Sequence, residues 1–365
     1  MRPTFLEVNL SQLKRNIEAI RAQVAPAKVM TMVKANAYGH GLEGVAPFIE
    51  PYVDYLGVAT VEEGVQLREL GLRKPILVAG ATMPGQVPLF ADYDLTLTGS
   101  SIALLDVAED VSRSTGSRIK THLKFDTGME RLGIREYEAE PFILKSSSYR
   151  HIDIEGIYTH LANSEVADRS YSYMQLERFQ QVLDLFEKHS LPVPSLRHVC
   201  NSGGILNLPE AYFEMVRAGV LFYGVYPGAE VDRPIEVKPA LTWRSRVAYS
   251  KRTRPGRPLG YGSLWQAEEE TGIITIPCGY GDGYFRRMTN RAHVMINQKK
   301  YPQVGRICMD QFMVNVGEDD IQVGDEVILL GDGIRAEDLA EWMGTNEYEV
   351  MTNISARVPR VYRNE

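Results

Sequence analysis

What most constrains this chain is a repeated alternation. Between residues 28 and 223, short apolar runs rich in β-branched residues are separated by segments with helical spacing. The runs fall at 28–33, 55–60, 75–80, 95–98, 120–126, 152–160, 196–200 and 215–223, eight in all. Parallel neighbours need a crossover each time, and eight strand-plus-helix units in about 200 residues are the signature of a parallel barrel. The fold class expected is therefore α/β, a (β/α)8 barrel of the TIM type. A doubly wound open sheet is the alternative, and a count of eight rather than five or six tips the choice. Ahead of the barrel, residues 4–8 read as a short strand. Leu10, Leu13, Ile17, Ile20 and Val24 then recur at helical spacing behind Asn9, a candidate N-cap.

Near residue 235, after Tyr226-Pro227-Gly228 and Pro234, the texture changes. Residues 241–251, 271–277, 292–296, 300–304, 312–316 and 326–330 read as strands joined by short turns without intervening helices, which predicts a mainly antiparallel β domain. A last helix is expected over 336–343. The domains expected are 1–235 and 236–365, with the first strand, about residues 1–10, able to pack with the second domain.

At 365 residues, 44% hydrophobic and 24% charged, the chain can bury two substantial cores. A net charge of −7 argues against nucleic acid or an anionic membrane as the main partner. Cys200, Cys278 and Cys308 are too few and too widely spaced for a disulfide framework or a zinc site, so no metal is expected and a reducing, cytoplasmic setting fits. Neither an apolar leader at the N-terminus nor a run of about 18 apolar residues is found, which reads against secretion and membrane spanning.

Chemistry in a barrel belongs at the strand ends, and the unusual polar residues collect there. Lys34 ends the first strand and opens a glycine-containing loop. Lys124 and Arg131 belong to the fifth strand and its loop, His160 to the sixth, Asn201-Ser202-Gly203-Gly204 to the seventh, and Arg217 to the eighth. Taken singly, Lys34 is a snorkelling lysine and His160 a satisfied core histidine. Taken together they suggest one site. A desolvated lysine loses its proton readily and can form a Schiff base with an aldehyde such as pyridoxal phosphate, while Tyr38 can offer a phenol to the phosphate. Ser202, its glycines and the amides of Gly219 and Val220 lie where barrels commonly bind phosphate.

The stretch Val33-Lys34-Ala35-Asn36-Ala37-Tyr38-Gly39-His40-Gly41 resembles the cofactor-lysine motif of the alanine racemases. The resemblance extends over nearly the whole chain, through Gly260-Tyr261-Gly262, Pro277-Cys278-Gly279-Tyr280-Gly281-Asp282-Gly283, Gly305-Arg306-Ile307-Cys308-Met309-Asp310-Gln311 and Arg357-Val358-Pro359-Arg360. Gly281 is a departure, since the family commonly has alanine there. The resemblance implies a pyridoxal phosphate enzyme acting on a small amino acid, built as a head-to-tail homodimer with shared active sites. Lys34 would hold the cofactor and act as one base, with the partner's Tyr261 as the other. Tyr38, Ser202, Gly219, Val220 and Tyr348 match phosphate-binding positions. Arg217 matches the residue facing the pyridine nitrogen, and His160 the one beside the partner's Tyr261. Arg131 and the partner's Met309 match positions that receive the substrate carboxylate. Lys124 matches a lysine carbamylated in some members, which then orients Arg131.

Racemisation removes a proton from one face of the α-carbon and returns one to the other, so two bases are needed. Lysine and tyrosine both have ordinary pKa values near 10, and the site must shift them. An arginine against the pyridine nitrogen cannot hand over its proton, which favours proton exchange over transamination. Decarboxylases of the same architecture place a glutamate there, so Arg217 argues against that alternative. A pyridoxal phosphate carrier without turnover would need no Tyr261. Alanine against serine or broader specificity stays open, and supply of D-alanine for peptidoglycan is the role implied.

Overall fold

The computed structural model describes residues 2–364. The chain forms two compact units, one of Leu13–Ala37 with Leu42–Lys238, the other of Met1–Gln12, Tyr38–Gly41 and Pro239–Glu365.

The first unit is the barrel. Its eight strands are Lys28–Met32, Tyr55–Val58, Ile76–Val78, Leu97–Gly99, Lys120–Asp126, Asp153–Tyr158, Leu196–His198 and Met215–Ala218, and every pairing among them is parallel. An isolated Leu77–Thr96 bridge joins the third strand to the fourth. The Arg217 amide donates to the Cys200 carbonyl at 2.9 Å and ties the eighth to the seventh. Closure leaves no open edge. Because helices cover the outside and side chains fill the inside, the strands are buried on both faces, and Tyr55–Val58 and Ile76–Val78 are buried throughout.

Local sequence sets where the crossover helices start and stop. Val61–Glu69 opens with a reciprocal capping box between Thr60 and Glu63. Ile102–Thr115 begins where the Ser101 side chain accepts from the Leu104 amide and ends at Gly116, whose φ of 74° is the left-handed stop that favours glycine. The eighth strand is shorter than expected, stopping at Ala218. Gly219 breaks it, and Val220–Tyr223 coil into a 3-10 turn. All four of those apolar residues are buried, which is why the run reads as strand in the sequence.

In the second unit a nine-stranded, mostly antiparallel sheet carries the N-terminal strand Phe5–Asn9 between Leu241–Arg246, antiparallel, and Arg360–Arg363, parallel. The expected Asn9 cap forms, with the Gln12 amide donating to Asn9 Oδ1 at 2.8 Å. Trp243, Tyr284 and Phe312 fill its core, the last two stacked with ring centroids 4.5 Å apart. The single strand expected over 241–251 is two, Leu241–Arg246 and Tyr249–Thr253, because the first half pairs with Glu326–Leu330 and the second with Thr271–Ile276. The helix Ala336–Met343 is followed by another, Glu347–Thr352, capped by Asn346.

Candidate active site

Lys34 stands just beyond the first barrel strand, and the backbone after it takes a conformation that the sequence reads only as a loop. Ala35, Asn36, Ala37 and Tyr38 all have φ between 51° and 55°, a turn of left-handed helix. For residues with a Cβ this costs about 1–2 kcal/mol each. Specific bonds hold it. The Ala35 amide donates to Glu63 Oε1 at 2.6 Å, the Ala37 amide to the Val33 carbonyl at 2.8 Å, and the Leu42 amide to Asn36 Oδ1 at 2.7 Å. The Lys34 amine is half-buried, and burial followed by the charge of Arg131 draws its pKa below the usual lysine range against the pull of Glu63. A larger share of it is therefore neutral near physiological pH.

Around the same barrel mouth, Asp126 organises the Arg131 loop. Its carboxylate accepts from the amides of Gly128, Met129, Glu130 and Arg131 at 2.8–3.0 Å. These bonds keep its pKa low against a burial that would raise it. Lys124 is buried, donates to the Phe125 carbonyl at 3.0 Å and lies 4.9 Å over the Tyr158 ring. Burial, then the charges of Arg217 and Arg131, holds its amine well below the ordinary range despite Asp126.

Arg217 is buried and donates through Nη1 to the His198 ring and carbonyl, and through Nη2 to the Thr159 and Val199 carbonyls and to His160 Nδ1, all within 3.2 Å. Burial lowers its pKa to about 10, so it is a cation at neutral pH. Since an arginine only donates, His160 must accept at Nδ1 and carry its proton on Nε2. His160 is held well below the ordinary histidine range by burial and then by Arg217, Lys124, Arg131 and Lys34. Buried Gln175 fixes the strand end behind it, accepting from the Ala162 amide and donating to the His160 carbonyl.

Ser202 Oγ accepts from the amides of Gly219 at 3.0 Å and Leu221 at 3.3 Å. Its own hydroxyl proton thus points away from two donors, the arrangement an incoming oxyanion needs. That proton, the Lys34 amine and the Arg217 Nε–H, which has no acceptor among the described residues, supply a phosphate donor, an aldehyde partner and a ring-nitrogen donor. This donor set fits pyridoxal phosphate.

The remaining expected residues belong to the second unit. Tyr38 and Tyr348 face one another with ring centroids 6.2 Å apart. The backbone next to Tyr38 is clamped, since a Cβ on Gly39 would lie 2.1 Å from the Met351 carbonyl oxygen and Arg360 Nε donates to the Gly39 carbonyl at 3.1 Å. Tyr261 is 71% exposed on a turn between Gly260 and Gly262, both at positive φ. Met309, 52% exposed, sits on a loop held by Asp310, which accepts from Arg357 at 2.7 Å. Arg357 and Arg2 both donate to the buried carboxylate of Asp282. Asp126, Gln175, Asp282 and His198 were not singled out by sequence. Only the Asp-x-Gly turn that holds Gly128 could have signalled the first of them.

A barrel with this mouth defines a pyridoxal phosphate enzyme of the barrel-plus-β-domain class. The alanine racemase N-terminal domain family matches residues 8–227 and the C-terminal domain family residues 240–362. The chain is 40% identical over 372 residues to the alanine racemase of Halothermothrix orenii, covering 100% of this chain and 98% of that protein. Among solved structures it is similar to the alanine racemase of Clostridium difficile 630, with a TM-score of 0.95 at 35% identity over 100% of this chain and 97% of the other. The alanine racemase of Bartonella henselae, solved with covalently bound pyridoxal phosphate, superposes with a TM-score of 0.91 at 27% identity over 100% of both chains. The chain belongs to the alanine racemase family, pyridoxal phosphate-dependent isomerases that interconvert L- and D-alanine.

Proposed function

We propose that Lys34 and the partner's Tyr261 are the two bases of this racemase, and that the enzyme works as a cytoplasmic homodimer supplying D-alanine for peptidoglycan. The observation that carries this is the Lys34 amine itself, drawn below the ordinary lysine range at the barrel mouth by burial and Arg131. Bound pyridoxal phosphate supplies the electron withdrawal that acidifies the α-hydrogen of an amino acid joined to it. Lys34 would hold the cofactor and would exchange the α-proton on one face. The phenol of the partner's Tyr261 exchanges it on the other.

Arg217 offers the ring nitrogen a hydrogen bond while keeping its own proton, which favours return of the α-proton over transamination. The Ser202 hydroxyl, its oxygen held from behind by the Gly219 amide, would hold the phosphate together with the Val220 amide and with Tyr38 and Tyr348. His160 supports the partner's Tyr261, and Arg131 with the partner's Met309 receives the substrate carboxylate. The buried Lys124 amine, drawn well below the ordinary lysine range by burial, can in its neutral form add carbon dioxide and release a proton to become a carbamate that orients Arg131. Loss of activity on bicarbonate depletion, restored on its return, is expected, and indifference to bicarbonate contradicts it. The dimer reading is supported by Tyr261, Leu264, Tyr280 and Met309, large apolar side chains of one unit that are each at least 40% exposed. Three free cysteines, and no membrane-length apolar helix among the described residues, fit the cytoplasm.

The test is interconversion followed by circular dichroism with each enantiomer of alanine, serine and lysine. Fast exchange of alanine, slower of serine and none of lysine is expected. Borohydride reduction should fix the cofactor onto Lys34 and no other residue.

A further inference from the structure

Behind the cofactor-facing guanidinium, a line of buried polar groups crosses the barrel interior. Arg217 Nη1 donates to His198 Nδ1 at 2.9 Å, His198 Nε2 meets His122 Nδ1 at 2.9 Å, and His122 Nε2 meets Glu155 Oε1 at 3.3 Å. Both imidazoles are fully buried. We propose that Glu155 is a positioning residue for the racemase reaction, acting through His122 and His198 to lock the guanidinium of Arg217 in place as a hydrogen-bond donor.

The polarity of the line follows from one fact, that arginine has no acceptor. His198 must accept at Nδ1, so its proton is on Nε2. His122 must then accept at Nδ1, and its proton also lies on Nε2, aimed at the Glu155 carboxylate. Neither ring can be an imidazolium, because a second proton would set two N–H groups head to head. Burial first, and then Arg217 and neighbouring cations, keeps both rings below the ordinary histidine range, although Glu155 pulls His122 the other way. Lys124 and Arg217 face this pair, while Lys120 and the Tyr55 hydroxyl face Glu155.

The backbone is shaped for this contact. Between the fifth and sixth strands the register runs Thr121 with Ile154 and then His122 with Gly156, which leaves Glu155 as the extra residue of a β-bulge. An unbulged strand would send Glu155 and Gly156 to opposite faces; the bulge turns the carboxylate inward to His122 and Tyr55. Gly156 makes room, since a Cβ there would lie 2.5 Å from the His122 ring. His198 is also pinned flat on Tyr158, with centroids 4.6 Å apart and planes 8° from parallel.

The inference rests on Arg217 facing the ring nitrogen. Two-bond proton–nitrogen spectra of histidine-labelled holoenzyme should show His122 and His198 both neutral and protonated on Nε2. An imidazolium or an Nδ1–H tautomer at either ring overturns the proposal. Glu155→Leu, which cannot accept, should leave the His122 Nε2–H without its partner, read as a moved Nε2 proton shift and faster exchange of that proton, and lower kcat about tenfold, the scale of losing an outer hydrogen-bond partner, with KM for alanine within about twofold. Glu155→Gln, whose carbonyl can accept the same bond, should restore both. A folded Glu155→Leu enzyme with a wild-type His122 Nε2–H signal and kcat overturns it, and if that variant does not fold, a Glu155→Gln enzyme that loses the signal does so instead. Absorbance of the bound cofactor separates the two levels. If it is unmoved in Arg217→Lys, the placement of Arg217 fails; if it moves there but Glu155→Leu leaves it and the His122 Nε2–H signal unchanged, only the relay fails.

Discussion

Lys34 is half-buried among the strand ends of a closed barrel, its amine shaped by burial and by Arg131, whereas Tyr261 is 71% exposed on a turn between two glycines. The barrel side carries a complete environment within one chain: Asp126 fixes the Arg131 loop, Gln175 the His160 strand end, and Arg217 the ring pair. The β unit instead presents Tyr261 and Met309 on exposed loops, with Asp310 beside Met309 accepting from Arg357. The contrast teaches that tuning and presentation are divided between the two units. On the proposed reading, an exposed tyrosine becomes a base only when a partner's barrel buries it.

The largest effect should come from the barrel side. Lys34→Ala is expected to abolish racemisation and borohydride fixation together, and a variant with wild-type turnover would remove Lys34 from the mechanism. Next is the support of the presenting loop. Asp282 is buried beneath two arginines whose side chains are 28% and 41% exposed, so Asp282→Asn should cost about 2 kcal/mol, less than a fully buried pair because solvent screens the partners. Against a burial that would raise it, Arg2 and Arg357 hold the Asp282 carboxyl below its ordinary range. The stability it contributes is therefore present above an unfolded value of about 3.9 and lost as pH falls through the lower folded value. Urea unfolding at several pH values should find Asp282→Asn less stable at neutrality and less sensitive to acid. Equal acid sensitivity would deny the ion pair its role. The smallest effect concerns the left-handed turn. Ala35 is exposed at φ 52°, and relief of about 1–2 kcal/mol of strain set against about 0.5–1 kcal/mol of glycine entropy should make Ala35→Gly slightly more stable. A destabilised variant would show the turn to be unstrained.

The barrel was legible because its signal is repetitive: all eight runs are strands, and helical spacing fills the gaps between them. The antiparallel β character of the second unit was legible for the same reason. What could not be read depends on which strand meets which. Nothing local in residues 241–251 announces that the chain changes partners at Val247, nor that Glu155 is the bulged residue opposite Thr121 and His122. The left-handed turn at Ala35–Tyr38 was hidden by its composition, since alanine favours the opposite hand and the cost is offset by the Asn36–Leu42 and Ala37–Val33 bonds together with a long-range bond to Glu63. The candidate residues at strand ends could be placed there from motif and position. Their protonation could not, because it follows from burial and from the convergence of Lys34, Lys124, Arg131 and Arg217 on His160.

The central claim is that each site joins Lys34 of one chain to Tyr261 of another. Tyr261→Phe alone should keep the cofactor and lose most racemisation, with the loss of α-proton exchange falling mainly on one enantiomer. Chains carrying Lys34→Ala and chains carrying Tyr261→Phe, each nearly inactive, are then mixed, and the heterodimer is isolated by differential tagging. With shared sites both lesions fall in one site and the other is intact, so the heterodimer should regain about half the activity of a wild-type dimer. A verified heterodimer as inactive as its parents would contradict the shared site.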